Sequence, residues 1–276
     1  MWTKNSSRTA CASLALLLIG CGPSSAPEPH EPTAAEAPAA NTAPAPKDER
    51  LGVAFEALGR GDVEACQREA RAVLADFPHH PRAEFLLALG LHKAKRYAEA
   101  RPLFESAESA TASFAGKDAV PYYLGWCGYW LGDFEAARAA FERHLEGSDE
   151  GDSHFGLGAI ALELGHFDEA RAKLTRALEI FEARIAAGDV TSERELAKTH
   201  ARLADLDLAV DDDVSARAHL ESALQLDNTR PAVWFKLYTV AEAAGDTEVA
   251  AAAKAEYERR SPRPDGTQPM AGGGSE

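Results

Sequence analysis

The chain of 276 residues has little of what marks most functional classes. No apolar run approaches the roughly 20 residues that a membrane-spanning helix needs. Four cysteines, Cys11, Cys21, Cys66 and Cys127, are too few for a disulfide-rich scaffold. Basic residues are in deficit, 29 Lys and Arg against 44 Asp and Glu, for a formal charge of -15. That balance excludes the basic surface of a duplex-binding protein, so no nucleic-acid partner is expected. No glycine-rich phosphate loop, nucleophile elbow or paired-carboxylate constellation stands out. The nine histidines are scattered, and none pairs with another or with a carboxylate at a recognised ligand spacing. His79-His80, between Pro78 and Pro81, reads as a surface turn. The run Asp205, Asp207, Asp211, Asp212 and Asp213 lacks the turn glycine and distal Glu of a calcium loop, and reads as an inter-helix turn with an Asp cap. No catalytic residue, metal site or cofactor is therefore expected, and the chain reads as a non-enzyme. What is present is 45% hydrophobic residues, enough for a packed core.

The N-terminus carries positive charge at Lys4 and Arg8 and no acidic residue before Glu28. An apolar stretch from Ala10 to Ile19 follows, too short to span a bilayer, and then Gly20-Cys21. These are the parts of a secretory signal peptide over residues 1–20. Leu18-Ile19-Gly20-Cys21 resembles the lipobox of bacterial lipoproteins. That resemblance implies cleavage before Cys21, lipidation of Cys21, and membrane attachment through several acyl chains, where one chain alone is marginal. Gly22 in place of the Asp that retains enteric lipoproteins at the inner membrane implies the outer membrane, facing the periplasm. Residues 22–46 hold seven prolines and eight alanines, with no aromatic, Leu, Ile, Val or Met. Such a segment buries too little to offset its ordering entropy, so 21–46 is expected to be a lipidated, disordered linker. The Pro- and Gly-rich stretch 261–276 reads as a disordered tail.

Between them, over 47–260, the chain repeats. Small residues Cys66, Ala100, Ala137, Ala170, Ala216 and Ala250 lie 34, 37, 33, 46 and 34 apart. Thirteen residues before each stands an aliphatic residue: Val53, Leu87, Leu124, Leu157, Leu203 and Leu237. The next position is small in five of the six, Tyr238 being the exception. Turns such as Gly61-Asp62, Gly132-Asp133, Gly165-His166 and Gly245-Asp246 precede the second segments, where apolar residues recur at helical spacing. Each unit reads as a helix, a turn and a second helix. The 46-residue step predicts that the fourth unit's second helix extends through about Ile185 before Gly188-Asp189 breaks it.

A period of 34 with Tyr97-Ala98-Glu99-Ala100 leading to Phe104 and Ala107, and Gly165-His166-Phe167-Asp168-Glu169-Ala170 leading to Ala177-Leu178, resembles the tetratricopeptide repeat. The resemblance implies an all-α superhelical solenoid of about six helix-turn-helix repeats, a fold used mainly as a platform for protein or peptide partners. In the third repeat, Pro121, Leu124, Gly125 and Gly128 form one helical face, and Tyr122, Trp126, Tyr129 and Trp130 another. The family implies that the former packs between helices and the latter lines a groove, with Phe85, Leu89 and Phe155 joining it from neighbouring repeats. The alternative is that the rings pack against adjacent first helices. The positions of a chaperone-type carboxylate clamp hold Tyr122, Trp126, Phe155 and Ala159, so an apolar or aromatic peptide is the expected ligand. Cys66 and Cys127 fall too far apart in a solenoid to pair and are expected to be free, buried thiols.

The reading is of a non-catalytic adaptor tethered to the bacterial envelope, of the kind that assists outer-membrane, secretion or pilus assembly. Two alternatives are a solenoid that self-associates into a homodimer through the aromatic face, and a regulatory partner of an envelope enzyme. Cys21→Ala tests the tether: wild-type protein should partition into the detergent phase and the variant into the aqueous phase. Equal partitioning of the two would remove the anchor.

Overall fold

In the computed structural model, residues 48–261 are described. The leader, Cys21, the linker and residues 262–276 lie outside the described residues. Twelve α-helices and no strands occupy 48–261, paired as six antiparallel hairpins: α1 (Glu49–Gly59) with α2 (Val63–Asp76), α3 (Pro81–Lys93) with α4 (Tyr97–Ser109), α5 (Val120–Leu131) with α6 (Phe134–Gly147), α7 (Gly151–Glu163) with α8 (Phe167–Ala186), α9 (Glu193–Ala209) with α10 (Asp213–Leu226), and α11 (Pro231–Ala243) with α12 (Thr247–Arg260). The expected all-α architecture of six helix pairs is the one observed. α8 runs 20 residues and stops one residue beyond the expected Ile185, and Gly188 at φ +99° then reverses the chain.

The turns share one conformation that the sequence only partly discloses. Five residues before each small residue of the repeat, the backbone is left-handed: Gly61, Lys95, Gly132, Gly165, Asp211 and Gly245. Glycine fills four of these positions at no steric cost, whereas Lys95 (φ 59°) and Asp211 (φ 58°) adopt it against preference. The next residue caps the second helix. Asp62, Asp133, Asp212 and Asp246 each accept a hydrogen bond from the backbone N–H three residues on. The Asp211-Asp212-Asp213 run is thus a turn and a cap.

Within each hairpin the helices touch through small residues. A Cβ on Gly128 would stand 2.9 Å from the backbone N of Ala137, so α5 and α6 meet nearly backbone to backbone. The Phe141 ring of α6 lies between Gly125 of α5 and Gly156 of α7, where added Cβ atoms would come within 2.6 and 2.5 Å of it. That ring locks the third hairpin to the fourth. Ala100, Ala137, Ala170 and Ala216 are fully buried, and Cys66 and Cys127 are buried free thiols. Burial pushes the Cys127 thiol up to about 12, which leaves it unreactive at neutral pH. Of the six aliphatic repeat positions all but Val53 are buried. α1 has no helix before it among the described residues, so Val53 and Phe55 stay exposed.

The repeats are also stitched by charge. The residue after the small position is Arg in four repeats, and each reaches the next repeat. Arg101 donates to Asp133 (2.8 Å), Arg138 to Glu169 (3.1 Å through Nη2), Arg171 to Asp207 (2.8 Å) and Arg217 to Asp246 (2.9 Å). Solvent screens the pairs of Arg101, Arg138 and Arg217, so they add less than the packing beneath them, whereas Asp207 in the Arg171 pair is fully buried.

Overpacking the small positions should therefore separate the helices. Ala170→Leu and Gly128→Ala are each expected to lower stability by about 1–3 kcal/mol in denaturant unfolding. A neutral result for both would mean that the hairpins do not meet at these residues.

Candidate functional site: a cavity lined by the odd-numbered helices

A cavity of about 470 Å³ opens on residues drawn from α3, α5, α7, α9 and α11, the first helices of repeats two to six. Its volume falls in the range of ordinary ligand pockets, about 300–1,000 Å³. One wall is aromatic, made by Tyr122, Trp126, Tyr129 and Trp130 of α5 and Phe155 of α7, with His92 of α3 at its edge. The facing wall is charged: Glu195, Lys198, Arg202 and Asp205 of α9, Arg230 at the start of α11, and Lys236. Ala201, Ala232 and Val233 also line the cavity.

The aromatic wall comes from the helical register. Tyr122, Trp126, Tyr129 and Trp130 share a face of α5, while Leu124, Gly125 and Gly128 on another face are buried. The rings pack on one another as well as lining the cavity. Trp126 makes edge contacts with Tyr129 (5.4 Å between centroids) and Phe141 (5.4 Å), and a tilted contact with Phe155 (6.0 Å). Tyr129 is buried, Tyr122, Trp126 and Phe155 are half-buried, and Trp130 is 56% exposed. Trp130 stacks on Tyr97 of α4, with centroids 5.8 Å apart and rings nearly parallel. Groove and core are thus not exclusive for these side chains, because one edge of the wall packs and the other faces the cavity.

Five of the seven residues expected at the groove, Tyr122, Trp126, Tyr129, Trp130 and Phe155, line this cavity. Phe85 and Leu89 do not; both are buried in the hydrophobic core of the first three repeats. For Phe85 the reason lies in the longer connection between α4 and α5, part of the 37-residue step. It carries Phe114 onto the Phe85 ring (5.6 Å), and Gly116 sits so close that a Cβ there would be 2.6 Å from it. Tyr123 and Phe104 close the remaining sides of Phe85.

The charged wall was not anticipated. Its residues sit in the fifth and sixth repeats, where charges on helices resemble an ordinary solvated face. The signal was available, since Lys198, Ala201, Arg202 and Asp205 are spaced i, i+3, i+4 and i+7 on the first helix of their repeat. The two walls are tied together: the Tyr129 hydroxyl donates to Glu163 (3.0 Å) and accepts from Arg202 (3.2 Å), which joins α5, α7 and α9. Lys198 pairs with Glu195 (2.6 Å) and Lys236 with Asp205. On α7, burial raises the carboxyl pKa of Asp152, with Glu195 adding to the effect. Burial likewise lifts the Tyr122 hydroxyl well above its usual range.

Residues 54–116 match the tetratricopeptide repeat, and residues 151–183 match it again. Those two stretches therefore match tetratricopeptide repeats, and the helix pairs of 48–261 pack as a solenoid of that type. Among solved structures it is similar to a chain in the hetero-tetramer Cut9–Hcn1 of the APC/C, at 17% identity and a TM-score of 0.66 over 78% of this chain. It spans 40% of the length of that larger protein. It is also similar to PilW, described as a widely conserved type IV pilus biogenesis factor, at 17% identity and a TM-score of 0.59 over 76% of this chain and 90% of PilW. A third likeness is to pilF of Pseudomonas aeruginosa, at 18% identity and a TM-score of 0.57 over 77% of this chain and 90% of pilF. No curated protein matches the chain. Identities this low establish the shared fold.

Buried histidines, His92 and His200 above all, are expected to make the domain less stable in acid. His92, at the cavity edge, is held down to about 4 by burial. His200, beside the cavity wall on α9, is also held to about 4 by burial and by His219, whose Nδ1 lies 3.0 Å from its own. In the unfolded chain both would titrate near 6.5. Between pH 6.5 and 4 the unfolded state thus binds more protons, so stability is full above about 6.5 and falls as the pH drops towards 4. The urea midpoint should fall across that window, and His200→Gln should flatten the fall. A midpoint independent of pH from 7 to 4.5 would contradict this assignment.

Proposed function

We propose that the protein is a non-catalytic interaction scaffold held at the bacterial envelope by a lipid on Cys21, and that it binds a partner peptide segment in the cavity of the odd-numbered helices. The supporting observation is the cavity itself. Five successive first helices converge on it, a stiff aromatic wall faces a charged wall, and nothing in its lining forms a nucleophile–base pair. Tyr and Trp offer large apolar area at low ordering cost, which suits them to peptide capture. The tether follows from the lipobox-like Leu18-Ile19-Gly20-Cys21, and the Pro/Ala-rich segment 22–46 would give the solenoid reach from the membrane. The periplasmic face of the outer membrane is the proposed site of action. The described residues contain no helix long and apolar enough to cross a membrane. The architectural likeness to pilus biogenesis factors makes assembly of a pilus, secretion or outer-membrane component the proposed setting, although fold alone does not fix it.

Position-specific photo-crosslinking in cells tests the reading. A crosslinker in place of Trp130 should give a discrete adduct, while one at Val214, 83% exposed on the second helix α10, should not. Trp130→Ala should cost roughly 2 kcal/mol of binding and change stability by no more than about 0.5 kcal/mol. Leu124→Ala should lower stability by about 2–5 kcal/mol through a cavity and affect binding only through unfolding. Trp126→Ala should do both, since its ring packs on Phe141 and also faces the cavity. Adducts of equal yield at 130 and 214 would remove the cavity from consideration.

A further inference from the structure

The geometry points to Arg230 as the anchor for an acidic side chain of the bound peptide, so that the partner segment carries an Asp or Glu flanked by large apolar residues. This rests on the reading of the cavity as a peptide site and specifies what the peptide must contain. Four cations line the cavity, and three are committed. Arg202 bonds the Tyr129 hydroxyl and lies 3.6 Å from Asp205. Lys236 pairs with Asp205, and Lys198 with Glu195. Arg230 is the exception: among the described residues its side chain forms no ion pair or hydrogen bond, and its Nη1 is buried without an acceptor. The carboxylate nearest in sequence, Asp227, is held by the backbone N–H (3.0 Å) and hydroxyl (2.6 Å) of Thr229, and feels Arg230 only through space.

A buried guanidinium donor without a partner is costly, and a carboxylate is the group that its planar fork satisfies best. A single negative charge fits better than a phosphate dianion, because Asp152, Glu195 and Asp205 also line the cavity and repel extra charge. The aromatic wall across the same cavity sets the flanking residues. Segment 22–46 carries Glu28, Glu31 and Glu36 but no aromatic, Leu, Ile, Val or Met, so it offers nothing to that wall. The occupant is a partner segment. It is recognised by an internal acidic side chain, at a place distinct from the repeat-three and repeat-four positions that hold Tyr122, Trp126, Phe155 and Ala159.

Two fluorescent, amidated heptapeptide pools probe this on the full chain in detergent. In both, Leu, Ile, Phe, Tyr and Trp vary on either side of a fixed central residue, which is Asp in one pool and Asn in the other. Wild-type protein should retain the Asp pool about tenfold better than the Asn pool. Arg230→Gln should equalise the two, and Trp130→Ala should weaken both by the same factor. Equal retention by wild type, still reduced by Trp130→Ala, would overturn the anchor and leave the peptide site standing. Failure to retain either pool would overturn both. Retention that appears only when residues 22–46 are removed would make that segment the occupant. A dimer in sedimentation that Arg230→Gln dissociates would make it a second copy. Either of those last two results would overturn the partner assignment.

Discussion

The third repeat depends on one close approach, in which a small residue on the second helix lets the first helix come nearly to backbone contact. Ala137 stands against Gly128 there, with no room for a Cβ. The same need keeps the repeat positions small in the other hairpins, where Cys66, Ala100, Ala170 and Ala216 are fully buried. Once that distance is set, the larger side chains have fixed places. Phe141 fits between glycines of two successive first helices, and Leu174 fits over Gly158. The ion pairs from Arg101, Arg138, Arg171 and Arg217 then run from four of the six second helices into the next repeat. Packing makes the solenoid continuous, and charge adds register.

How much of this was legible follows from how local each signal is. The helix pairs, their period and the extended α8 depend on residues spaced along one stretch of sequence, and they read directly. The left-handed turn residue was visible as glycine in four repeats but hidden as Lys95 and Asp211 in two, because those types give little hint of positive φ. Phe85 and Leu89 are buried in the core of the first three repeats, Phe85 for a non-local reason. Their register matches the cavity-facing positions, yet a connection of a few extra residues brings Phe114 and Gly116 over the Phe85 ring. The charged wall escaped because charges on a helix usually mean solvent, and only the stacking of α9 and α11 against the aromatic helices gives them a common cavity.

That cavity reverses the electrostatics of its host. A chain with a formal charge of -15 places four cations and three carboxylates around one opening. Most of those charges neutralise one another, and the Tyr129 hydroxyl lies between Glu163 and Arg202. The result is a wall that is polar without being strongly basic, with Arg230 left over. Long-range steering by the whole protein would repel acidic partners and is screened beyond about 8 Å at physiological salt. Selection for an acidic group must therefore act at contact distance, where the uncommitted guanidinium is.

The double role of the aromatic wall explains why such a site can be stiff. Trp126 gives its edges to Tyr129 and Phe141, and Trp130 is stacked on Tyr97, so these rings are ordered by the fold before any ligand arrives. A peptide laid on them pays for ordering itself and not the protein, which is how a modest contact area reaches useful affinity. The same arrangement couples site to stability unequally. Tyr129, bonded to Glu163, and Trp126, packed on Phe141 and Phe155, cannot change without disturbing the junction of the third and fourth repeats, whereas the exposed Trp130 can. Variation in what is bound is therefore easiest at the rim and on the charged side chains of α9 and α11, while the buried half of the wall is constrained by the packing that holds successive repeats together.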